Sequence, residues 1–462
     1  MKLLVINPPN EPFSERSLLI EPIDVLGVAT YAKSIGNDVK LVDMDVKQQT
    51  PESLEETLKD FRPFLTVIPF DYHIPLHTSK AVDGINRISS LAKEYGSKVA
   101  VAGKTSKHYP DLFLNGGADV VINGEIELTL SDLVHLSLWN PSELMKIQGI
   151  TYANNGETIS TKPRRTRINL DSLPIPEREL VDLSDYIDVR TILTSRGCMG
   201  RCSFCPTPNY WGNWRARSPR NVVDEIEELV TKSGAKKILF LDDNATVNKD
   251  RMKQISRGIM DRGIDVTLGC LGTISAYDRE TIGLMQVAGF RWIHYGAESG
   301  NSAILKANGK NITPEQIKKA VKETKDAGLR VRTSWIFDLP GTNEDTLQET
   351  IDLILETEPH EIRAHYLALR AGTDMYKQAA EGQVLPSQYI HTKEPMLSLS
   401  GYNQHKITEK VRELKEELQN KGYLVIDDVT AWRDIDKLRD QDPQLRFISF
   451  CPSKYGLNWE QK

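Results

Sequence analysis

The sequence predicts an α/β protein with three parts: an N-terminal doubly wound parallel sheet, a partial (β/α)6 barrel, and a small α+β C-terminal tail. Three observations predict this. Short apolar runs alternate with helical patterns over the first 140 or so residues, the alternation restarts at 191 and repeats six times, and it stops near 386. A chain of 462 residues is long enough for two or three domains, each with its own core. The expected boundaries are 1–146, a hairpin and linker over 147–190, the barrel over 191–385, and a tail over 386–462.

The first strand is Leu3-Leu-Val-Ile6, which runs into Asn7-Pro8-Pro9. Val25, Leu26, Val28, Ala29, Tyr31 and Ala32 give residues 24–35 a helical apolar face, and Gly36-Asn37 ends it. Further strands are expected at 40–43, 64–69, 98–103 and 119–123, the last followed by Gly124-Glu125. Such sheets bind ligands beyond the carboxyl ends of their strands, where strand order reverses. That directs attention to loops 7–23, 69–78, 103–108 and 123–127. A hairpin over 147–161 ends the first unit, and Pro174 and Pro176 favour an extended connector. The run Lys162-Pro-Arg-Arg-Thr-Arg167 reads as solvated linker rather than a phosphate-binding patch.

In the second unit, strands are expected at 190–194, 237–242, 265–268, 292–295, 330–337 and 361–368. Helices over 249–262, 278–288, 314–327 and 343–357, and one with Val222, Val223, Ile226 and Leu229 on its face, separate them. A barrel of this kind works at the carboxyl ends of its strands. The tail offers a charged helix over 406–421, a strand at 423–426 and a helix over 428–439; it is expected to cover the open side of the barrel and shape a substrate pocket. A formal net charge of -6 gives no global attraction to nucleic acid. No apolar run reaches the 18 or so residues of a membrane span, and the N-terminus has too short an apolar run for a secretory signal. With few cysteines, this predicts a cytoplasmic protein.

Three of the five cysteines, Cys198, Cys202 and Cys205, fall within eight positions after the first barrel strand. Thiolates this close usually hold a metal or an iron–sulfur centre. A structural zinc site closes with four ligands, and no fourth Cys or His lies nearby. Three ligands on a four-iron cluster leave one iron open to a small molecule. Cys270 and Cys451 read as small buried thiols.

The spacing C-x3-C-x2-C, with Phe204 before the last Cys, resembles the radical S-adenosylmethionine (SAM) superfamily. The resemblance implies a [4Fe-4S] cluster on Cys198, Cys202 and Cys205, whose open iron binds SAM and whose electron yields a 5′-deoxyadenosyl radical. Later landmarks agree. Asp242 and Asp243 end the second strand, where the family places polar groups against the SAM amino group. Tyr295-Gly-Ala-Glu-Ser-Gly300 resembles Gly-x-Glu-Ser, which implies SAM contacts for Glu298 and Ser299. Phe337-Asp-Leu-Pro-Gly341 resembles Gly-Leu-Pro-Gly with Asp338 at the first glycine, and Ala371-Gly-Thr-Asp-Met-Tyr376 resembles Pro-Gly-Thr-x-x-Tyr.

The N-terminal unit resembles the cobalamin-binding domain that precedes many such barrels. Asn7-Pro8-Pro9, the Leu26-Gly27 pair and Gly124-Glu125 carry that resemblance; these and Gly103, a single glycine where relatives usually show two, are the implied cobalamin contacts. The Asp-x-His-x-x-Gly signature of a cobalt-ligating histidine is absent. The lower face of cobalt is therefore expected to meet loop 70–75, where Asp71, Tyr72 and His73 are equally placed; His73 on its own reads first as an ordinary loop histidine. The family implies methyl transfer to an unreactive carbon or phosphinate phosphorus of a small-molecule substrate, with an external flavodoxin- or ferredoxin-type one-electron reductant. A radical rearrangement or ring closure, with or without cobalamin, and a non-enzymatic metal-binding regulator remain open.

Overall fold

The computed structural model describes residues 1–9, 20–70, 79–367, 369–381, 404–426 and 444–450. The N-terminal unit is built on a sheet of β1 (Lys2–Asn7), β2 (Asp38–Asp43), β3 (Leu65–Pro69), β4 (Lys98–Ala102), β5 (Val120–Ile122), β6 (Ile150–Asn154) and β7 (Glu157–Ser160). Its order is β2-β1-β3-β4-β5-β6-β7. The first five strands are parallel, and the hairpin β6–β7 adds antiparallel to β5. The central strands β1, β3, β4 and β5 are buried on both faces because helices cover both. Leu3, Val5, Val67 and Ala100 pack on one side; Leu4, Ile6, Ile68 and Val99 pack on the other. Strand order reverses between β1 and β3, so the loops after these two strands flank the switch point. Asp71, Tyr72 and His73 lie in one of them, outside the described residues.

The second unit begins with β8 (Arg190–Ile192). The two-residue strands β9 (Ser195–Arg196) and β10 (Arg215–Ala216) pair antiparallel around the cysteine loop. The barrel continues with β11 (Lys237–Phe240), β12 (Thr267–Gly272), β13 (Phe290–Glu298), β14 (Arg330–Ile336) and β15 (Glu361–His365). Local signals fix the helices between them. In Pro219–Ser233, the Ser218 side chain caps the Asn221 N–H, Pro219 starts the helix, and Gly234 ends it in a left-handed conformation. Thr313 and Gln316 form a capping box ahead of Pro314–Asp326. Cys270 is fully buried in the barrel-and-helix core, as a structural thiol should be, and burial pushes its pKa up. Cys451 and the segment expected as helix 428–439 lie outside the described residues.

The tail extends the barrel sheet. β16 (Leu424–Ile426) and β17 (Phe447–Phe450) continue the parallel sheet past β15, giving the order β16-β17-β15-β14-β13-β12-β11-β8. Phe447 and Ile448 are fully buried there. Helix Gln404–Asn420 buries Ile407, Val411, Leu414 and Leu418, the one-face spacing of a helix that docks on a core. Tyr423 fixes its end by donating to the Pro359 carbonyl at 2.6 Å. Among the described residues, no helix is long and apolar enough to cross a membrane.

Candidate active site between the two units

Buried charges lock the two units together. Glu21 is fully buried, accepts the Thr191 N–H at 2.7 Å, and lies 3.5 Å from Arg178. Arg178 pairs with Glu225 at 2.9 Å and donates to the Thr191 carbonyl at 2.6 Å. Breaking such a pair leaves an uncompensated buried charge, so the set fixes β8 against the N-terminal unit. The segment after β4 crosses to the barrel as well. Lys107 donates to the Asn209 carbonyl at 3.0 Å, Tyr109 bonds Tyr376, and His108 packs against Gly372. Burial, with Lys107 beside it, pulls the His108 pKa down to about 4, so the imidazole stays neutral. The loop after β4 thus meets the loops at the carboxyl end of the barrel.

Cys198, Cys202 and Cys205 lie at this junction, free and partly buried on one loop. The loop is held at its middle: Ser203 donates its N–H to Asn308 and accepts the Met375 N–H, both at 3.1 Å. Two N–H groups point at Cys198 Sγ, the Gly200 amide at 3.3 Å and Asn244 Nδ2 at 3.7 Å. Burial pushes Cys202 up to about 11, opposed by Lys310; burial also raises Cys205, opposed by hydrogen bonds from Thr207 and by Lys104. Buried thiols flanked by cations and N–H donors suit ligands that a cluster would hold as thiolates. Among the described residues, no three His, Cys, Asp or Glu side chains are grouped to hold one metal ion. Two buried oxygens beside the three thiols lack partners, Asp243 Oδ2 and Asn244 Oδ1. They are placed to accept from a bound polar ligand. Phe204 is partly buried against Ile304, Leu339 and Met375.

Several expected contacts have other partners. In place of an ammonium contact, Asp242 is fully buried and accepts from Thr194 N (2.7 Å), Thr194 Oγ1 (2.6 Å) and Ser195 Oγ (2.6 Å). It braces the start of the cysteine loop, while Asp243 accepts from Thr207 Oγ1 at 3.0 Å and keeps one oxygen open. Glu298 has a left-handed φ of 69°, a costly conformation for a non-glycine residue, and bonds Lys310 Nζ at 3.1 Å. Its carboxylate fills the space over Gly296, where a Cβ would come within 2.3 Å of Oε1. Ser299 is buried, receiving the Asn301 N–H at 3.2 Å and lying 3.4 Å from Thr350 Oγ1. Lys310, which sequence reasoning missed, joins this pair to Cys202 and Cys205. Burial opposes its charge, yet Glu298 and the thiols raise its pKa.

The N-terminal positions divide likewise. Asn7 donates to Asp43 Oδ1 at 2.8 Å, and Tyr186 donates to Asp43 Oδ2 at 2.6 Å, so Asp43, braced by Asn7, holds the connector. Pro8 and Leu26 are buried. Gly27 opens onto a crevice shared by Glu127, Leu173, Ser195, Arg196 and Arg217. Gly103 is glycine because the chain after β3 passes close: a Cβ there would lie 2.2 Å from the Phe70 carbonyl oxygen. Glu125 is buried in an ion cluster with Arg196 (3.3 Å) and Arg215, while Gly124 offers its carbonyl to Tyr210 at 3.1 Å. Both residues tie the units together. In the basic run, Arg164 reaches Thr129 at 3.0 Å and Arg165 is exposed, as in an anchored linker.

Asp338 is buried, and burial raises its pKa to about 7, opposed by the Leu367 N–H. Because the native state holds this proton longer than the unfolded state, stability falls as pH rises from about 4 to about 7. Asp338→Asn keeps the acceptor for Leu367. It is expected to melt higher than the parent, by a margin that widens from pH 5 to pH 8, in paired thermal scans.

Residues 192–354 match the radical SAM superfamily. An uncharacterized methyltransferase of Pyrococcus horikoshii is 28% identical over 426 residues, covering 89% of this chain and 91% of that protein. The anaerobic magnesium-protoporphyrin IX monomethyl ester cyclase of Synechocystis is 24% identical, covering 83% of this chain and 78% of its own. The fold is shared with the radical SAM methyltransferase TsrM of Kitasatospora setae, whose structure holds cobalamin and a [4Fe-4S] cluster. TM-score is 0.71, identity is 19%, and the match covers 82% of this chain and 75% of that one.

Proposed function

We propose that this chain, which carries a radical SAM domain over residues 192–354, is a cobalamin-dependent radical SAM enzyme that methylates an unactivated carbon or phosphinate phosphorus of a small molecule. One observation carries the reading: the partly buried thiols of Cys198, Cys202 and Cys205 lie where the carboxyl side of a doubly wound sheet meets the barrel, close enough for Lys104 to act on Cys205. The cluster supplies single electrons to SAM, and cobalamin carries the methyl group.

The protein's own residues bind, orient and exclude water. Cys198, Cys202 and Cys205 hold the cluster, with the Gly200 and Asn244 N–H groups on Cys198 tuning its charge. Asp243 and Asn244 present acceptors to the SAM ammonium, and Glu298 and Lys310 set the charge beside the thiols. Asp242 positions the loop without touching a ligand. The segment after β4, with Gly103 and Lys104, would face the corrin. The methyltransferase name of the 28% identical relative supports methyl transfer; the cyclase name supports a cobalamin-assisted ring closure as the second reading. An external one-electron reductant completes the system.

Expression with excess cobalamin and anaerobic purification test this. About one tightly held cobalt per chain is expected, as one corrin per sheet requires. Label from the SAM methyl group appearing in product then selects methylation over ring closure. An intact cluster with no retained cobalamin contradicts the proposal and leaves radical chemistry alone.

A further inference from the structure

Helix Lys104–His108 starts at the carboxyl end of β4, and helix Thr207–Trp211 begins two residues after Cys205. The two helices meet through Lys107. Its amine donates to the Asn209 carbonyl at 3.0 Å and sits 5.4 Å from the centre of the Tyr210 ring. Ser106 Oγ holds the first turn by donating to the Gly103 carbonyl at 3.2 Å. Lys104 shares the side of Lys107, one turn closer to β4. It is only 8% exposed there. Burial raises the Cys205 pKa, Asp243 adds to that, and the Lys104 charge opposes both, so this cation stands at the Cys205 end of the contact. Lys310 also acts on Cys205, but it shares its charge with Glu298 at 3.1 Å. Among the described residues, the cysteine loop thus meets a cation from each unit.

A four-iron cluster on three thiolates is an anion, and each electron it takes up adds one negative charge. A buried cation nearby favours the more negative state, because water and salt screen it little. We propose that Lys104 is a cation supplied by the N-terminal unit to the cluster on Cys198, Cys202 and Cys205, where it stabilises the one-electron-reduced state and so raises the reduction potential. The electron comes from the external one-electron reductant, and no bond or proton changes at Lys104. Because Lys104 stands on the segment assigned to the corrin, docking of the N-terminal unit and ease of cluster reduction are linked. The inference rests on the radical reading proposed above.

The reconstituted protein, without SAM or cobalamin, is taken through a redox titration with dithionite, and the reduced cluster is read by electron paramagnetic resonance. Lys104→Met and Lys104→Gln should each lower the reduced-to-oxidised ratio at a given potential about tenfold, the scale of one partly screened charge, or about 59 mV for one electron. Lys104→Arg keeps the charge and should titrate as the parent does. A purely structural role would not sort the variants by charge. Loss of iron from both neutral variants, with Lys104→Arg intact, also supports the inference, since the cluster then needs the charge to be held. If a neutral variant with full iron titrates as the parent does, or Lys104→Arg behaves as the neutral variants do, the inference is overturned. A parent that assembles no four-iron cluster ends the radical reading instead, so the two failures are told apart.

Discussion

Replacing any one of Cys198, Cys202 and Cys205 by alanine is expected to abolish reductive cleavage of SAM. Bound iron should fall from about four per chain, the content of one cluster, to a small fraction. The effect is all-or-none because the loop has no substitute ligand. Among the described residues the other cysteine is Cys270, which is sealed in the core. The loop itself should survive, since its anchors are the Ser203 backbone bonds and the Asp242 carboxylate. Circular dichroism of the variants should therefore match the parent. Production of 5′-deoxyadenosine by the triple variant would remove the site.

Lys310→Met is the second large perturbation. It strands the Glu298 carboxylate, whose side chain is 11% exposed. Removing one partner of such a pair costs about 3 kcal/mol or more. A clear fall in melting temperature is expected, with loss of SAM binding, because the cation beside Cys202 and the acid beside Gly296 are both disturbed. Adding Glu298→Gln to Lys310→Met removes the stranded charge and should recover most of the stability without restoring SAM binding. A melt and a binding titration on the single and double variants separate the two effects. If the double variant melts no higher than the single, the pair is not the cause.

Element positions were legible because the physics is local. Continuous apolar runs such as Leu65–Pro69 are buried on both faces. Ser218-Pro219 and Thr313-Pro314 announce helix starts. Phe447–Phe450 was not read as a strand, since its partner β15 lies some eighty residues back and nothing local shows that pairing. The cysteine loop was legible from spacing. Its supports were not: Asp242 looks like a ligand contact in a motif, and only geometry shows its oxygens already used by Thr194 and Ser195. Glu125 likewise looks like a loop acid until Arg196 and Arg215 arrive from another unit. Lys310 lies in a short connector without a pattern.

Electron paramagnetic resonance of the anaerobically reconstituted, dithionite-reduced protein, recorded with and without SAM, tests the central claim most directly. The expected result is one reduced [4Fe-4S] signal per chain that shifts on adding SAM, as an iron open to a ligand requires. A stoichiometric zinc content with no such signal, or a cluster signal that SAM leaves unchanged, would contradict it.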